Sequence, residues 1–404
     1  MNTLILKKGR EKSLRRRHPW IFSGAVQKAE GKPGPGDTVE VRDAAGKPLA
    51  LAAWSPKSQI RARVWTFDTK EGVDRGFFRK RISSAIAFRQ DLPVARHTNA
   101  LRLVHGESDG LPGLVVDRYA DVLAAQFLSA GAERWREEIL DALAQATGSE
   151  AIYERSEAEV RKLEGLPPRA GWARTAGGTP AGRGNRDSGR CPIVEYGLNF
   201  RVDVEQGQKT GFFLDQRENR QRVRALATGR AVLDGFCYTG GFAIAALAGG
   251  AKRVTAVESS AAALEVAKEN LSANPLDPSR VDFVKGDVFS VLRTLRDKGA
   301  KYDLVVLDPP KFAPTAAQAR NAARAYKDVN LLAFKLLAPG GLLATFSCSG
   351  GVPAPLFQSI VAGAAVDAGV EARILERFGA AADHPVALEF PEGEYLKGLL
   401  VARG

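Results

Sequence analysis

The stretch AVLDGFCYTGGF, residues 231–242, decides the fold of this chain. Its first residues form an apolar strand that ends at Asp234, and the glycines that follow indicate a turn from this strand into a helix. Dinucleotide-binding enzymes use similar turns, but the G-x-G-x-x-G pattern of their pyrophosphate loop is absent from this stretch. A carboxylate at position 234 would repel a phosphate and would attract the cationic end of S-adenosylmethionine (SAM). The stretch therefore favours SAM over a dinucleotide as the ligand.

Residues 191–404 alternate strands and helices around this turn, the pattern of a doubly wound parallel sheet. A hairpin (194–195 with 200–204) precedes the first helix. We predict strands at 231–233, 253–257, 281–285, 304–307, 342–346, 373–377 and 399–401, with helices between them that include 260–273 and 318–337. The fold class is therefore α/β, with a C-terminal Rossmann-like domain.

Acidic residues follow three successive strands of this domain, namely Asp234, Glu258 and Asp287. Each could alone be the N-cap of a helix. Together they favour a cofactor site, because open α/β sheets bind ligands at the carboxyl ends of their strands. Glu258 would accept hydrogen bonds from the ribose hydroxyls and Asp287 one from the adenine amino group. The predicted cofactor-binding set in these turns is completed by Phe236, Tyr238, Thr239, Gly240 and Val288.

The fourth strand leads into Asp308, Pro309, Pro310 and Lys311. Two prolines directly after a buried strand end it and hold the main chain in one shape. Acid-Pro-Pro-aromatic loops are typical of methyltransferases that act on the amino groups of bases. Lys311 replaces the aromatic residue here, which weakens that interpretation.

The fifth strand ends beside Cys348. A free cysteine is most often buried and inert, but at this end of a central strand it would face the ligand crevice. Carbon C5 of a pyrimidine becomes nucleophilic only after a group such as a thiolate has added to C6. Cys348 is therefore the candidate nucleophile, and Cys237 and Cys191 are weaker candidates.

A dense polar run with two phenylalanines, residues 208–220, favours a ligand wall over a core position. It adds Lys209, Phe213, Asp215 and Arg217 to the predicted cofactor-binding set. Asp215 has a second interpretation, as the N-cap of the helix that follows.

Composition excludes several classes of protein. The 404 residues suffice for two or three domains, and no run approaches the ~20 apolar residues of a transmembrane helix. Three cysteines exclude a disulfide scaffold and fit a reducing cytoplasm, and with four histidines they show no metal-ligand spacing. We expect a cytoplasmic protein without a membrane segment and without a metal.

The basic charge is concentrated at the N-terminus. Residues 1–80 hold 18 Lys and Arg against 8 Asp and Glu, which is +10 of the net charge of +12. Such an excess indicates a polyanionic partner, in a cytoplasmic protein usually nucleic acid, with a solvated face as the alternative. The predicted RNA-binding residues are Lys7, Lys8, Arg10, Arg15, Arg16, Arg17 and Trp20, and a core position is the alternative for Trp20.

Two smaller segments precede the Rossmann-like domain. Residues 1–75 form a β-rich module with strands predicted at 38–41, 48–52 and 60–65. Residues 76–190 form a central α/β segment, with helices predicted at 77–89 and 134–146 and strands at 100–104, 114–117 and 122–128. It ends in a Gly/Arg-rich stretch, 169–190, predicted as a loop or linker.

Six motifs together make the chain resemble, over nearly its full length, the RlmI-like family of bacterial 23S rRNA (cytosine-5) methyltransferases. The motifs span residues 16–24, 209–217, 238–242, 308–312, 346–350 and 383–385. The resemblance implies an N-terminal PUA-like RNA-binding domain with a small β-barrel (1–75), a central EEHEP-like domain (76–190) and a class I SAM-dependent methyltransferase domain (191–404). It also implies 5-methylcytosine in 23S rRNA as the product and Cys348 as the nucleophile, and it is compatible with a homodimer. The family has no second cysteine in the motif at 308–311, and neither has this chain.

The predicted reaction is methyl transfer from SAM to C5 of a cytosine in 23S rRNA, or in a precursor of the large ribosomal subunit, through a Cys348–C6 adduct. Asp308 and the main chain of Pro309 and Pro310 would hold a flipped-out cytosine by its N3/N4 edge. Asp308 would also lie beside the cofactor, and Lys311 would contact phosphate or base. Two alternatives stay open. A guanine-amino RNA methyltransferase on the same scaffold would not need Cys348, and an inactive RNA-binding or ribosome-assembly factor would bind RNA without SAM.

Overall fold

The computed structural model describes residues 2–157, 159–174, 189–312 and 319–404. The chain divides into two compact units. The first comprises Met1–Glu195, Val202–Leu214 and Ala382–Gly393, and the second comprises Tyr196–Arg201, Asp215–Ala381 and Glu394–Gly404. Three stretches of the predicted C-terminal domain, residues 191–195, 202–214 and 382–393, therefore lie in the first unit, and the division into three domains stays a prediction. No helix in the described part of the chain is long and apolar enough to cross a membrane.

A six-stranded sheet forms the N-terminal part of the first unit, in the order β2-β6-β5-β4-β1-β3. Its elements are β1 (Thr3–Leu6), α1 (Lys12–Arg15), β2 (Trp20–Phe22), β3 (Val26–Glu30), β4 (Thr38–Arg42), β5 (Pro48–Trp54) and β6 (Ile60–Thr66). Side chains along a strand point alternately to its two faces. Val39 and Val41 of β4 therefore point to the same face, and both are fully buried in the core. The three predicted strands are confirmed, and three further strands were not predicted.

A five-stranded sheet forms the central part of the first unit, in the order β11-β10-β9-β8-β7. Asp74 caps the first helix of this part by accepting a hydrogen bond from the N–H of Phe77 at 2.9 Å. The elements are α2 (Arg75–Asp91), β7 (Ala100–His105), β8 (Leu114–Tyr119), β9 (Val122–Phe127), α3 (Ala130–Arg134), α4 (Arg136–Thr147), β10 (Ala151–Ser156), α5 (Glu159–Glu164) and β11 (Arg169–Arg174). The predicted helices and strands of this segment are confirmed.

The prediction of a loop from residue 169 is wrong for its first six residues, which form strand β11 antiparallel to β10. Trp172 holds this strand in place. Its ring lies 5.2 Å from that of Tyr153, and its indole N–H donates to Glu205 at 2.9 Å. The high Gly and Arg content of residues 169–190 predicted a loop and gave no indication of the contact between Trp172 and Tyr153. Residues 175–188 of the predicted loop lie outside the described residues.

The second unit contains a seven-stranded sheet in the order β16-β15-β14-β17-β18-β20-β19. Strands β12 (Arg190–Glu195) and β13 (Leu198–Asp203) form a separate two-stranded sheet, and β12 lies in the first unit. The elements that follow are α6 (Arg217–Leu226), β14 (Ala231–Gly235), α7 (Gly241–Ala248), β15 (Arg253–Glu258), α8 (Ala261–Ser272), β16 (Val281–Lys285), α9 (Val288–Asp297), β17 (Tyr302–Leu307), α10 (Ala319–Leu336), β18 (Leu337–Ser347), α11 (Ala354–Ala368), β19 (Ala372–Phe378) and β20 (Lys397–Arg403). Every strand predicted for this sheet is present.

The strand order of the seven-stranded sheet creates a ligand crevice. Strands β14 to β18 are parallel, and the order reverses between β14 and β17. Connections on the two sides of this point leave toward opposite faces, so a gap opens beyond the carboxyl ends of β14 and β17. The turns after these strands carry the predicted site residues.

Candidate active site

The turn after β14 holds its main chain in an uncommon conformation. Phe236 and Tyr238 have positive φ angles of 66° and 49°, although neither is a glycine. Such residues cost about 1–3 kcal/mol each and occur mainly at ligand clamps and active sites. Gly240, with φ of 80°, ends the turn where an added Cβ would come within 3.2 Å of Ala267. The strained turn lies where the sequence predicted the cofactor.

Asp234 is fully buried on β14, and neither of its carboxylate oxygens has a hydrogen-bond partner of normal geometry among the described residues. Burial raises the pKa of Asp234 well above its usual range. The nearby charges of Asp308 and Glu258 raise that pKa further, and the N–H of Ala243 opposes the shift. A buried carboxylate without a partner is costly, and a cationic ligand group would relieve that cost. Asp234 therefore fits the positively charged part of SAM.

Glu258, at the end of β15, organises the same turn. One carboxylate oxygen accepts from the N–H of Tyr238 at 3.1 Å. The other accepts from the Ser260 N–H at 2.9 Å and from the Ser259 hydroxyl at 3.0 Å. Each carboxylate oxygen can accept two hydrogen bonds, so the oxygen toward Tyr238 keeps capacity for a ribose hydroxyl. Thr239 is buried in this turn, and its carbonyl accepts from Asn270 at 3.0 Å.

Asp287 is exposed and is the N-cap of α9. Its Oδ2 accepts from both the N–H and the hydroxyl of Ser290, at 2.9 and 2.8 Å. Val288 is buried in the core beside it, and the Phe289 ring lies 6.2 Å from that of Phe236. A contact of Asp287 with the adenine amino group stays a prediction.

The four residues predicted from the polar run 208–220 are divided between the units. Lys209 and Phe213 lie in the first unit, where the Lys209 ammonium stands 4.4 Å from the centre of the Phe213 ring. Asp215 and Arg217 lie in the second unit, and both are buried. Asp215 accepts from the Tyr395 hydroxyl at 2.5 Å. The alternative of Asp215 as an N-cap is wrong, because α6 begins at Arg217 with Gln216 as its N-cap residue.

The loop after β17 starts at the crevice. The N–H of Asp308 donates to the carbonyl of Gly235 at 3.4 Å, so this loop leaves the sheet beside the strained turn. Asp308 is half-buried, Pro309 is buried and Lys311 is exposed. The fixed main chain at Pro309 thus separates a partly enclosed carboxylate from a solvated cation. This arrangement suits recognition of a polar base edge next to a phosphate.

Cys348 is half-buried directly after β18, and hydrogen bonds hold both of its chain neighbours. The Ser347 hydroxyl donates to the Tyr326 hydroxyl at 2.9 Å, and the hydroxyls of Tyr326 and Ser349 are 3.0 Å apart. Burial raises the pKa of Tyr326, the hydrogen bonds of the two serines oppose this shift, and charge at Cys348 and Asp308 adds to it. Charge at two of the predicted catalytic residues, Cys348 and Asp308, therefore affects the pKa of the same tyrosine.

The other two cysteines lie in surroundings that do not suit a nucleophile. Cys237 is buried, and burial raises the pKa of its thiol well above the usual range, with the charges of Asp234 and Glu258 adding to the shift. Cys191 is also buried, on β12. A thiol must ionise to attack, so Cys348 is the best-placed of the three.

The predicted RNA-binding cations all lie on the surface of the first unit. Each of Lys7, Lys8, Arg10, Arg15, Arg16 and Arg17 is exposed. The Trp20 side chain is packed instead, because its indole N–H donates to Glu107 at 2.8 Å and its ring lies 4.8 Å from that of Phe390. Stacking of Trp20 on an RNA base stays a prediction.

Comparison with known proteins gives the family. A protein of Erwinia tasmaniensis named ribosomal RNA large subunit methyltransferase I is 50% identical to this chain over 395 residues, which cover 98% of each chain. A protein of the same name from Yersinia pestis has the same identity and coverage. This chain belongs to the ribosomal RNA large subunit methyltransferase I family.

Family models and solved structures agree with this membership. A model described as S-adenosylmethionine-dependent methyltransferase matches residues 186–381, and a PUA-like domain model matches residues 4–67. A candidate SAM-dependent methyltransferase from Streptococcus mutans aligns over 100% of both chains, with a TM-score of 0.83 and 21% identity. A candidate methyltransferase solved as a complex with SAH also aligns over 100% of both chains, with a TM-score of 0.84 and 22% sequence identity. At such identities these two structures show the fold alone.

The family and SAM as the cofactor are thus confirmed, as is the fold class with its PUA-like N-terminal domain. In this member of the methyltransferase I family, the crevice fits SAM. It offers a buried carboxylate at Asp234, an acid at Glu258 and a turn whose main chain is already in its strained form. The individual roles of these residues stay predictions.

One residue beside the Cys348 loop was not predicted from the sequence, namely Lys397 at the start of β20. Its side chain is buried, and its ammonium donates to the carbonyls of Ser349 and Val352, each at 2.8 Å. The signal in the sequence was a lysine directly before the apolar run 398–401. Strand pairing brings this lysine to the end of β18, which sequence spacing does not reveal.

Proposed function

We propose that this protein methylates C5 of a cytosine in large-subunit rRNA, with SAM as methyl donor and Cys348 as a covalent nucleophile. The observation that carries the proposal is the setting of Cys348. Among the three cysteines it alone is partly accessible, and it stands at the carboxyl end of a central strand between two anchored serines. Methylation of an exocyclic amino group would need no thiol at this position.

The proposed reaction consists of addition of Cys348 to the base, methylation of C5 and elimination of Cys348. The Cys348 thiolate forms a bond to C6, and the electron pair of the C5–C6 double bond moves onto C5. SAM, when bound, would supply an electrophilic methyl group, and S-adenosylhomocysteine would leave with the electron pair of the broken sulfur–methyl bond. After C5 has gained this methyl group and lost its proton to water, the returning electron pair restores the double bond and expels Cys348 as a thiolate. Asp308 would hold the N3/N4 edge of the base while these bonds change.

Removal of N-terminal cations is expected to reduce the salt dependence of rRNA binding. Each phosphate contact adds about 0.7–0.9 to the slope of log affinity against log salt concentration. Replacing Lys7, Lys8 and Arg10 with alanine should lower that slope by about 2, as measured by filter binding at several salt concentrations. The matched control replaces Lys252, Lys268 and Lys298, which are exposed in the second unit. Equal slopes for the two triple variants would contradict the proposed RNA surface.

Nucleoside analysis tests the reaction itself. We expect label from methyl-labelled SAM to appear in 5-methylcytidine after incubation with unmodified 23S rRNA, or with a large-subunit precursor, and digestion to nucleosides. Label in a methylated guanosine would support the amino-methyltransferase alternative instead. RNA binding with no SAM binding would support the inactive RNA-binding factor.

A further inference from the structure

Lys397 spans the nucleophile in the second unit. It is paired with Ser347 in the antiparallel ladder between β18 and β20. Its ammonium then reaches past Cys348 to the carbonyls of Ser349 and Val352, at 2.8 Å each. The main chain of Lys397 thus pairs with the residue before Cys348, and its side chain contacts the loop after Cys348.

The positive charge of Lys397 is not neutralised by its hydrogen-bond partners, since both are main-chain carbonyls. The side chain is only 8% exposed, so water screens its charge poorly. Burial lowers the pKa of Lys397 and the charge of Lys311 lowers it further, while negative charge at Cys348 and at Glu394 opposes these shifts. The electrostatic coupling between the two groups is mutual: a thiolate stabilises the ammonium and the ammonium stabilises the thiolate.

We propose that Lys397 is a positioning residue that holds the Cys348 loop and keeps Cys348 in its reactive thiolate form. The inference rests on the proposed function, because it supplies the ionised nucleophile that the C6 addition needs. A neutral donor would be enough to bind the two carbonyls of the loop. Stabilisation of the Cys348 thiolate requires the positive charge of the ammonium. Among the described residues, Tyr326 on α10 and Lys397 on β20 are coupled electrostatically to Cys348. Tyr326 is coupled in turn to Asp308, and Lys397 to Lys311 and Glu394.

Alkylation of the cysteines over a range of pH tests this role without requiring methyl transfer. The full-length protein is treated with iodoacetamide at pH 5 to 10, and the rate at Cys348 is measured by peptide mass spectrometry. In the wild type we expect the midpoint of the rate profile below about 8.5, the ordinary value for cysteine. Lys397→Gln keeps a donor but removes the charge, and should move the midpoint up by at least one pH unit. Lys397→Arg should leave it nearly unchanged.

The control variant Lys335→Met removes an exposed lysine from the same unit and should not move the midpoint. Identical profiles for wild type and Lys397→Gln would overturn the inference. If the Lys397 variants do not fold, a wild-type midpoint at or above about 8.5 overturns it by itself. A lowered midpoint together with label in a nucleoside other than 5-methylcytidine would keep this inference and refute the proposed function.

Discussion

Replacing Cys348 with alanine is expected to lower the rate of methyl transfer to rRNA by at least about 10³-fold, while SAM binding stays within a factor of two. The thiolate is the group that makes C5 nucleophilic, and no other cysteine of the chain is both accessible and placed at the crevice. SAM binding should persist because the strained turn and Asp234 do not depend on the thiol. Single-turnover methylation and calorimetric SAM titration measure the two effects.

Trapping gives a second readout for the same residue. In RNA that carries 5-fluorocytidine, C5 has no proton to lose after methylation, so the adduct with Cys348 cannot resolve. Wild-type protein should form a complex with this RNA that survives denaturing electrophoresis, and Cys348→Ala should not.

Cys191→Ala is the matched control, because it removes a buried thiol on β12 in the first unit. It should keep both methylation and trapping. Full activity of Cys348→Ala would exclude the covalent mechanism and leave amino-group methylation as the better explanation of the crevice.

Replacing Asp234 with asparagine is expected to weaken SAM binding by about 30-fold or more, since losing one partner of a buried charge pair costs about 2–5 kcal/mol. The same change should stabilise the ligand-free protein. Asp234 is buried without a hydrogen-bond partner of normal geometry among the described residues, and a neutral amide is cheaper to bury there than a carboxylate. A gain of 1 kcal/mol corresponds to a rise in Tm of about 2–4 °C.

The raised pKa of Asp234 fixes the sign of the pH dependence. The folded protein binds the Asp234 proton more tightly than the unfolded chain does. The free energy of unfolding of the ligand-free protein should therefore fall as pH rises from the ordinary aspartate range through the raised value. SAM binding should strengthen over the same interval, because its cationic group pairs with the ionised form. Asp234→Asn should remove both dependences.

Asp282→Asn is the control for this pair of effects, because Asp282 is an exposed aspartate on β16. It should change neither SAM affinity nor Tm. An Asp234→Asn protein that binds SAM as tightly as the wild type would refute the role of Asp234 at the cationic end of the cofactor.

The sequence by itself predicted the seven strands of the large sheet and the crevice residues Asp234 and Cys348. Each of these strands is a short apolar run followed by a turn. Such a pattern is local, so it can be recognised from the sequence alone. The acids and the cysteine follow such runs directly, and parallel strands place their carboxyl ends at one edge. Adjacency in the chain was therefore enough to predict that these residues lie at the same edge of the sheet.

Strand β11 and the surroundings of Asp383 show where local patterns fail. The six residues of β11 pair with β10 because Trp172 contacts Tyr153 and Glu205, which lie 19 and 33 positions away in the sequence. Asp383 lies in a stretch assigned by sequence to the C-terminal domain. In the structure this stretch belongs to the first unit, and the Asp383 carboxylate accepts from the N–H of Arg102 at 2.9 Å.

The sequence alone determined the α/β fold, the basic N-terminal surface and the candidate nucleophile. Each of these can be recognised from residues that are adjacent in the chain. Only the tertiary structure decided that Asp234 is buried without a normal hydrogen-bond partner in the described chain, and that Lys397 clamps the loop beyond Cys348. Both facts depend on which distant groups the packing removes from water or brings within hydrogen-bond reach. Burial and pairing of charges are properties of the assembled sheet, so no spacing in the chain predicts them.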